Sequence, residues 1–295
     1  MTNEDWLDRI TTINQHRKNG ARAPHKPLLI LLGLGALQRT GSSAMTFSEV
    51  EPHLARLLVE AGRPANPEYP FLRLQSDGLW TVTMADGSTP REAKGPLRAG
   101  ATGSFAPDFE AALLASPLLL AQVATTVLER EFPSTLHADL LADVGLDIAL
   151  VEPTRARAAA LRRRDPRFRA EVVFAYQQCC AFCGFDGLLR NAALGLEAAH
   201  VRWWAYDGPD HVSNGLCLCS MHHKLFDLGA LTVDDRNRVS VSGHFIGRSE
   251  AADRLVYDLD GRPVAEPIAG MPRIDDDYIA WHRDQVFKAP ARSAA

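Results

Sequence analysis

Long apolar runs are missing from this chain of 295 residues, none reaching the roughly 18–20 residues that a membrane-spanning helix requires. The opening Met1-Thr2-Asn3-Glu4-Asp5 also lacks the basic start of a signal peptide. These two absences predict a cytoplasmic protein with no membrane partner. Cysteine is scarce: five residues, an odd number, argue against a disulfide framework and suit a reducing compartment. Positive charge is short as well. The net charge is −4, so contact with a nucleic acid has to rest on local basic patches and not on the field of the whole chain. What is abundant is apolar side chain, 46% of the residues, which suits a globular chain of about two domains.

Basic residues gather at one place. Residues 151–170 read V-E-P-T-R-A-R-A-A-A-L-R-R-R-D-P-R-F-R-A and hold seven Arg against two acids, a join between a domain at 1–150 and another at 171–295. Pro153 and Pro166 punctuate it, and the Ala/Arg block between them favours helix. Asp165 and Pro166 predict the cap and first residue of a helix running to about Gln178. The Arg run reads either as a solvated linker face or as a strap that tracks phosphates between the domains.

The segment from Cys180 to Asp227 carries the most chemistry. C-A-F-C at 180–183 and C-S-M-H at 219–222 supply Cys180, Cys183, Cys219 and His222, the four soft or borderline ligands of a closed tetrahedral zinc site, which is structural. Cys179 offers an alternative to Cys180, with C-x₃-C spacing; otherwise Cys179 and Cys217 read as small buried hydrophobes. His200, Asn214 and His223 are more than a zinc site needs. His200 lies in a short apolar stretch from Leu196 to Trp203, expected as a strand, where it can take a proton from an attacking water as general base. His223 follows the zinc ligand directly; on a helix starting near Ser220 it points roughly 100° away and can hold a second metal. Asn214 follows the Gly208-Pro209 turn and either ligates a hard cation or pins the loop beneath the strand. His211, His244 and His282 read as surface or packing residues, and Trp203 and Trp204 as packing.

This stretch resembles the HNH endonuclease family. The resemblance implies a zinc-stapled ββα-metal module with His200 as general base, Asn214 as the middle Asn and His223 as the final His. One catalytic divalent ion, Mg²⁺, Mn²⁺ or another, is then held by His223 and Asn214, polarising the scissile phosphate and stabilising the leaving oxygen. Many family members have an acidic or His ligand immediately before the base; here that position is Ala199, with Glu197 or Asp227 as replacements.

The N-terminal half reads as α-rich. Helices are predicted at Asp5 to Gln15, from Pro27 through the apolar 28–37, from after Thr46-Phe47-Ser48 to Glu60 and at 108–130. Arg22, His25 and Lys26 sit at a helix N-terminus, where exposed N–H groups attract phosphate. Asn66 to Phe71 reads as a rigid proline-framed loop leading to Arg73 and an Asp77-Gly78 turn, and 94–103 as a basic Gly-rich loop. Further along, 275–287 reads as a packing helix before an Ala/Ser tail.

The start R-x-x-H-K-P-L-L and the later Y-P-F-x-R-L-x-x-D-G-L-W look like the sulfur-binding domain of phosphorothioation-dependent, McrA-type restriction endonucleases, over most of residues 5–145. The resemblance implies a shallow apolar cavity walled by Tyr69 and Pro70 that takes the sulfur of phosphorothioate-modified double-stranded DNA, with Phe71 beside them. Sulfur is larger and less strongly hydrated than oxygen, so such a cup desolvates it cheaply and penalises ordinary phosphate. Arg22, His25, Lys26 and Arg73, with Arg91 or Lys94, are then expected to hold the backbone and read base edges. The fold class expected is α+β, in two domains: an α-rich DNA-binding domain, then the HNH domain. The function expected is a modification-dependent endonuclease; one HNH site cuts one strand, so a double-strand cut implies a homodimer. The alternatives are a nuclease dependent on methylated cytosine, which calls for a deep base pocket, and a DNA-binding protein with an inactive HNH fold.

Overall fold

Helix starts follow local chemistry closely. Thr2 and Thr46 each accept a hydrogen bond from the backbone N–H three residues on, and Asp5 and Glu49 return the bond, so capping boxes open the helices Asn3–Thr11 and Phe47–Glu60. In the computed structural model, which describes residues 1–18, 21–147, 165–190 and 192–292, the chain divides into two compact units, Met1–Arg162 and Arg163–Ala295. Residues 148–164, which hold most of the Arg-rich join and its expected Ala/Arg helix, lie outside the described residues.

In the first unit the helix His25–Thr40 is apolar all round and therefore central; Leu28, Leu29, Ile30, Leu31 and Leu34 are fully buried. A three-stranded antiparallel sheet, in the order Met45–Thr46, Ala101–Phe105, Trp80–Met84, packs with it in one core. Trp6, Phe109, Phe105, Trp80, Phe71 and Phe47 form a continuous chain of tilted and edge contacts, 4.8 to 6.0 Å between centroids.

Four sequence expectations need correction here. The first helix ends at Thr11, short of Gln15. The supposed loop at 66–71 is largely helix, Glu68–Arg73, with Pro67 as its N-cap and Pro70 within its first turn, where the missing N–H costs nothing. The supposed Gly-rich loop at 94–103 is the helix Lys94–Arg98 followed by a strand. Helix 108–130 is two helices, Pro107–Ala115 and Pro117–Glu131: Pro117 biases Ser116 to an extended conformation, and Ser116 Oγ then caps Leu119 N–H. Among the described residues no single helix is long and apolar enough to cross a membrane.

In the second unit Asp165 caps the helix Pro166–Ala175, which stops before Gln178 because Gln177 and Gln178 take left-handed φ values of 53° and 57°. The antiparallel strands Leu196–His200 and Gly215–Cys219 follow, with His200 opposite Gly215, and the helix Ser220–Asp227 completes a ββα arrangement. The preceding helix lies so close to the hairpin that a Cβ at Gly215 would stand 2.4 Å from Val172 and 3.1 Å from Phe168. The helix Asp276–Gln285 packs as expected: His282, fully buried, stacks on Phe226 at 3.6 Å, and Trp281 meets Trp203 at 5.8 Å.

Candidate active site and candidate DNA interface

The ligating atoms of Cys180, Cys183, Cys219 and His222 all lie within 4.8 Å of one another. Hydrogen bonds among Cys180, Cys183 and Cys219 tie the titration of these thiols together, lowering Cys180 and raising Cys183. His222 Nε2 donates to the Leu255 carbonyl at 2.8 Å, which leaves Nδ1 facing Cys219 Sγ at 3.1 Å and Cys180 Sγ at 3.6 Å. Such a backbone partner fixes tautomer and ring orientation for ligation. Cys179 instead bonds the Gln177 carbonyl at 3.4 Å, so the C-x₂-C pairing is the one the fold assembles. Cys217 is fully buried and burial pushes its thiol up to about 12, an inert packing residue.

His200 ends its strand with Nε2 2.8 Å from Asp210 Oδ1, and its ring stacks on Phe168 at 4.3 Å. Asn214 is fully buried beneath it. Its Oδ1 accepts from Arg202 N–H at 2.8 Å, and its Nδ2 donates to the Arg202 and Pro209 carbonyls, both at 3.0 Å. The amide thus pins the loop to the strand, the second of the two roles expected of Asn214. Gly208 is part of the same pin, since a Cβ there would strike the Arg202 carbonyl at 1.9 Å.

His223, next along the helix from His222, stands between two carboxylates: Nδ1 is 2.6 Å from Glu197 Oε2 and Nε2 is 3.3 Å from Asp227 Oδ2. Each carboxylate has a second anchor, Ser220 Oγ donating to Glu197 at 2.7 Å and Trp203 Nε1 to Asp227 at 3.1 Å. The bond from His223 holds Glu197 below the usual carboxylate range. Where Ala199 offers no ligand, Glu197, two residues earlier on the same strand, brings a carboxylate to His223. The Cys₃His cluster is the only such set of three or more potential ligands already gathered among the described residues.

In the first unit Tyr69 and Pro70 line a cleft of about 540 Å³, and His16, Ala23, His25 and Arg73 face them around it. Tyr69 is partly exposed, and the Arg73 guanidinium lies over its ring at 4.5 Å. Arg73 is also held by Glu92 through two bonds of 2.7 and 2.8 Å. His25 is pushed down to about 4 by burial first, then by the charges of Arg63 and His16, so it is neutral at pH 7; its Nδ1 is buried with no hydrogen-bond partner among the described residues. Phe71 is fully buried in the aromatic chain and does not line the cleft, which corrects its placement in a sulfur cup: on this short helix it points to the core, one residue round from Pro70.

The expected cations are also less available than their sequence suggests. Lys26, 8% exposed, forms an ion pair of 2.6 Å with Asp77 beneath the cleft. Arg22 donates to the Arg130 carbonyl at 2.9 Å and lies 3.4 Å from the buried Glu131, whose carboxyl burial pushes up. Lys94 donates to the Ala65 carbonyl at 2.9 Å. Sequence reasoning missed Asp77, Glu131 and Glu92 as partners, and Asp210 and Phe168 beside His200. None of them has a diagnostic spacing; only the fold brings them to the site.

The family model of the ScoMcrA-like DNA sulfur-binding domain matches residues 3–149, and that of the HNH endonucleases matches residues 180–234. No curated protein matches the chain. Among solved structures, the sulfur-binding domain of ScoMcrA complexed with phosphorothioated DNA is 24% identical, covering 50% of this chain and 98% of its own, with a TM-score of 0.43. The sulfur-binding domain of SprMcrA, also complexed with phosphorothioated DNA, is 24% identical over 50% of this chain and 95% of its own, TM-score 0.43. The modification-dependent TagI restriction endonuclease is 28% identical over 42% of this chain and 38% of its own, TM-score 0.31. The chain thus pairs a ScoMcrA-like DNA sulfur-binding domain with an HNH endonuclease domain that follows it.

Proposed function

We propose that this endonuclease seats a phosphorothioate sulfur against Tyr69 and Pro70 and hydrolyses a phosphodiester nearby with His200 as general base. The carrying observation is the pair of imidazoles on the ββα scaffold, His200 clamped by Asp210 and His223 braced by Glu197 and Asp227. A water oxygen attacks phosphorus as its proton passes to His200, the P–O3′ bond breaks, and the 3′-oxygen takes a proton from solvent. The products are a 5′-phosphate and a 3′-hydroxyl. Soft thiolates and an imidazole suit zinc at the Cys180, Cys183, Cys219, His222 cluster. A hard divalent ion, Mg²⁺ or Mn²⁺, fits His223 with Glu197; when bound it polarises the phosphate and stabilises the leaving oxygen. Asp227, held by Trp203, orients the ring from behind. Each chain cuts one strand, and two chains act together for a double-strand cut.

The test compares one duplex with and without a single sulfur substitution, for binding and for cutting with added Mn²⁺ or Mg²⁺. Tight binding and cutting of the sulfur duplex alone is expected. Binding without cutting points to an inactive HNH fold, and equal binding of both duplexes returns methylated cytosine as the ligand.

A further inference from the structure

Asp210 lies outside the motif residues, yet it contacts the proposed base directly. Its Oδ1 is 2.8 Å from His200 Nε2, and its Oδ2 accepts from the Asp165 backbone N–H at 2.6 Å. Side chains of His200 and Asp210 are 14% and 12% exposed, so the contact is largely shielded from water. Asp165 caps the helix whose first turn supplies Phe168, stacked on the imidazole at 4.3 Å. One short helix therefore fixes the base twice, by a ring on its face and by a carboxylate that the helix N-terminus itself holds.

We infer that Asp210 is the positioning residue of the general base, an inference that rests on the assignment of His200. A carboxylate accepts only, so the imidazole must present Nε2–H to Asp210, and Nδ1 is then the basic atom. The same carboxylate stabilises the imidazolium that forms when the water proton arrives. Without it the hold on the Nε2–H tautomer is lost, and the Nδ1–H form cannot accept a proton at Nδ1. Asp210 acts through His200.

Asp210→Asn tests this with little change of shape. The amide oxygen keeps the bond from Asp165 N–H, and the amide nitrogen donates to Nε2, driving the proton to Nδ1. The expected result is a fall in kcat of roughly 10²-fold or more, with Kd for a phosphorothioated duplex and zinc content per chain unchanged. The ¹⁵N shifts of His200 should move from the Nε2–H to the Nδ1–H pattern, and Asp210→Glu should restore part of the rate. Cutting within twofold of wild type overturns the inference. So does lost activity with an unchanged tautomer, or with zinc and DNA binding lost too, since either makes the role merely structural. His200→Ala serves as the companion. If it still cuts, the general-base reading itself fails; if it is inactive while Asp210→Asn cuts normally, only the role of Asp210 falls.

Discussion

Tyr69 and Lys26 line the same cleft but do different work. Tyr69 offers a half-open ring beside Pro70, so Tyr69→Ala should lower affinity for the sulfur duplex toward the oxygen level while leaving the fold intact, as a titration against both duplexes will show. Lys26 was expected at the DNA backbone, but its ammonium is buried on Asp77. Removing one partner of a buried pair strands the other at a cost of about 3–5 kcal/mol, so Lys26→Ala should register in the melting temperature before it registers in binding. The sequence shows which residue types stand near a helix start; it does not show which carboxylate meets them. Asp77 is 51 positions away and Glu131 is 109 positions from Arg22, and such pairings emerge only from packing. Phe71 misleads for a related reason, because the alternation of inside and outside on a single helical turn is not legible where a loop is expected.

At the scale of elements, the knuckle, hairpin and helix of the second unit are legible because metal ligands and caps have fixed spacings. The helix Ser220–Asp227 falls where the motif predicts it, and the strand starts at Leu196 as expected but ends at His200, short of Trp203. Cys219→Ser should therefore unfold this unit, since structural zinc contributes about 10 kcal/mol or more to folding; metal stoichiometry and circular dichroism read this directly. The docking of the helix Asp276–Gln285 has a pH signature that no motif announces. His282 is buried on Phe226 and Thr232, and burial lowers its pKa to about 3. Its folded value lies below the unfolded one, so the unfolded chain binds the extra proton. The stability it contributes is full above about pH 6.5 and is lost as pH falls toward 3. Unfolding free energy over that window should fall less steeply in His282→Gln than in wild type, and an equal slope in both would assign the acid sensitivity to other groups.

For the whole molecule, both domains carry recognisable signatures while the Arg-rich join between them does not predict how they cooperate. Its composition fits a solvated face as well as a phosphate strap, because charge density alone does not specify an acceptor. If two HNH sites cut the two strands together, as proposed, light scattering on a sulfur-modified duplex should give the mass of two chains. A single chain on DNA, with nicked product, would make each molecule a one-strand cutter.

The ion pair between Arg73 and Glu92 has a consequence for the search along a genome. Ordinary phosphates outnumber modified ones by orders of magnitude, with roughly 10⁶–10⁹ competing positions, and a recogniser with bare guanidinium groups would spend its time on them. If Arg73 meets the DNA backbone as proposed, Glu92 is a resident decoy: it occupies the guanidinium that stacks on Tyr69, and an unmodified backbone would have to evict that carboxylate without a compensating sulfur contact. Both side chains are about half exposed, so the pair is worth at most about 1 kcal/mol. Glu92→Gln should accordingly tighten binding to oxygen DNA by a factor of a few and slow the enzyme's escape from it, which single-molecule dwell times on unmodified DNA can measure.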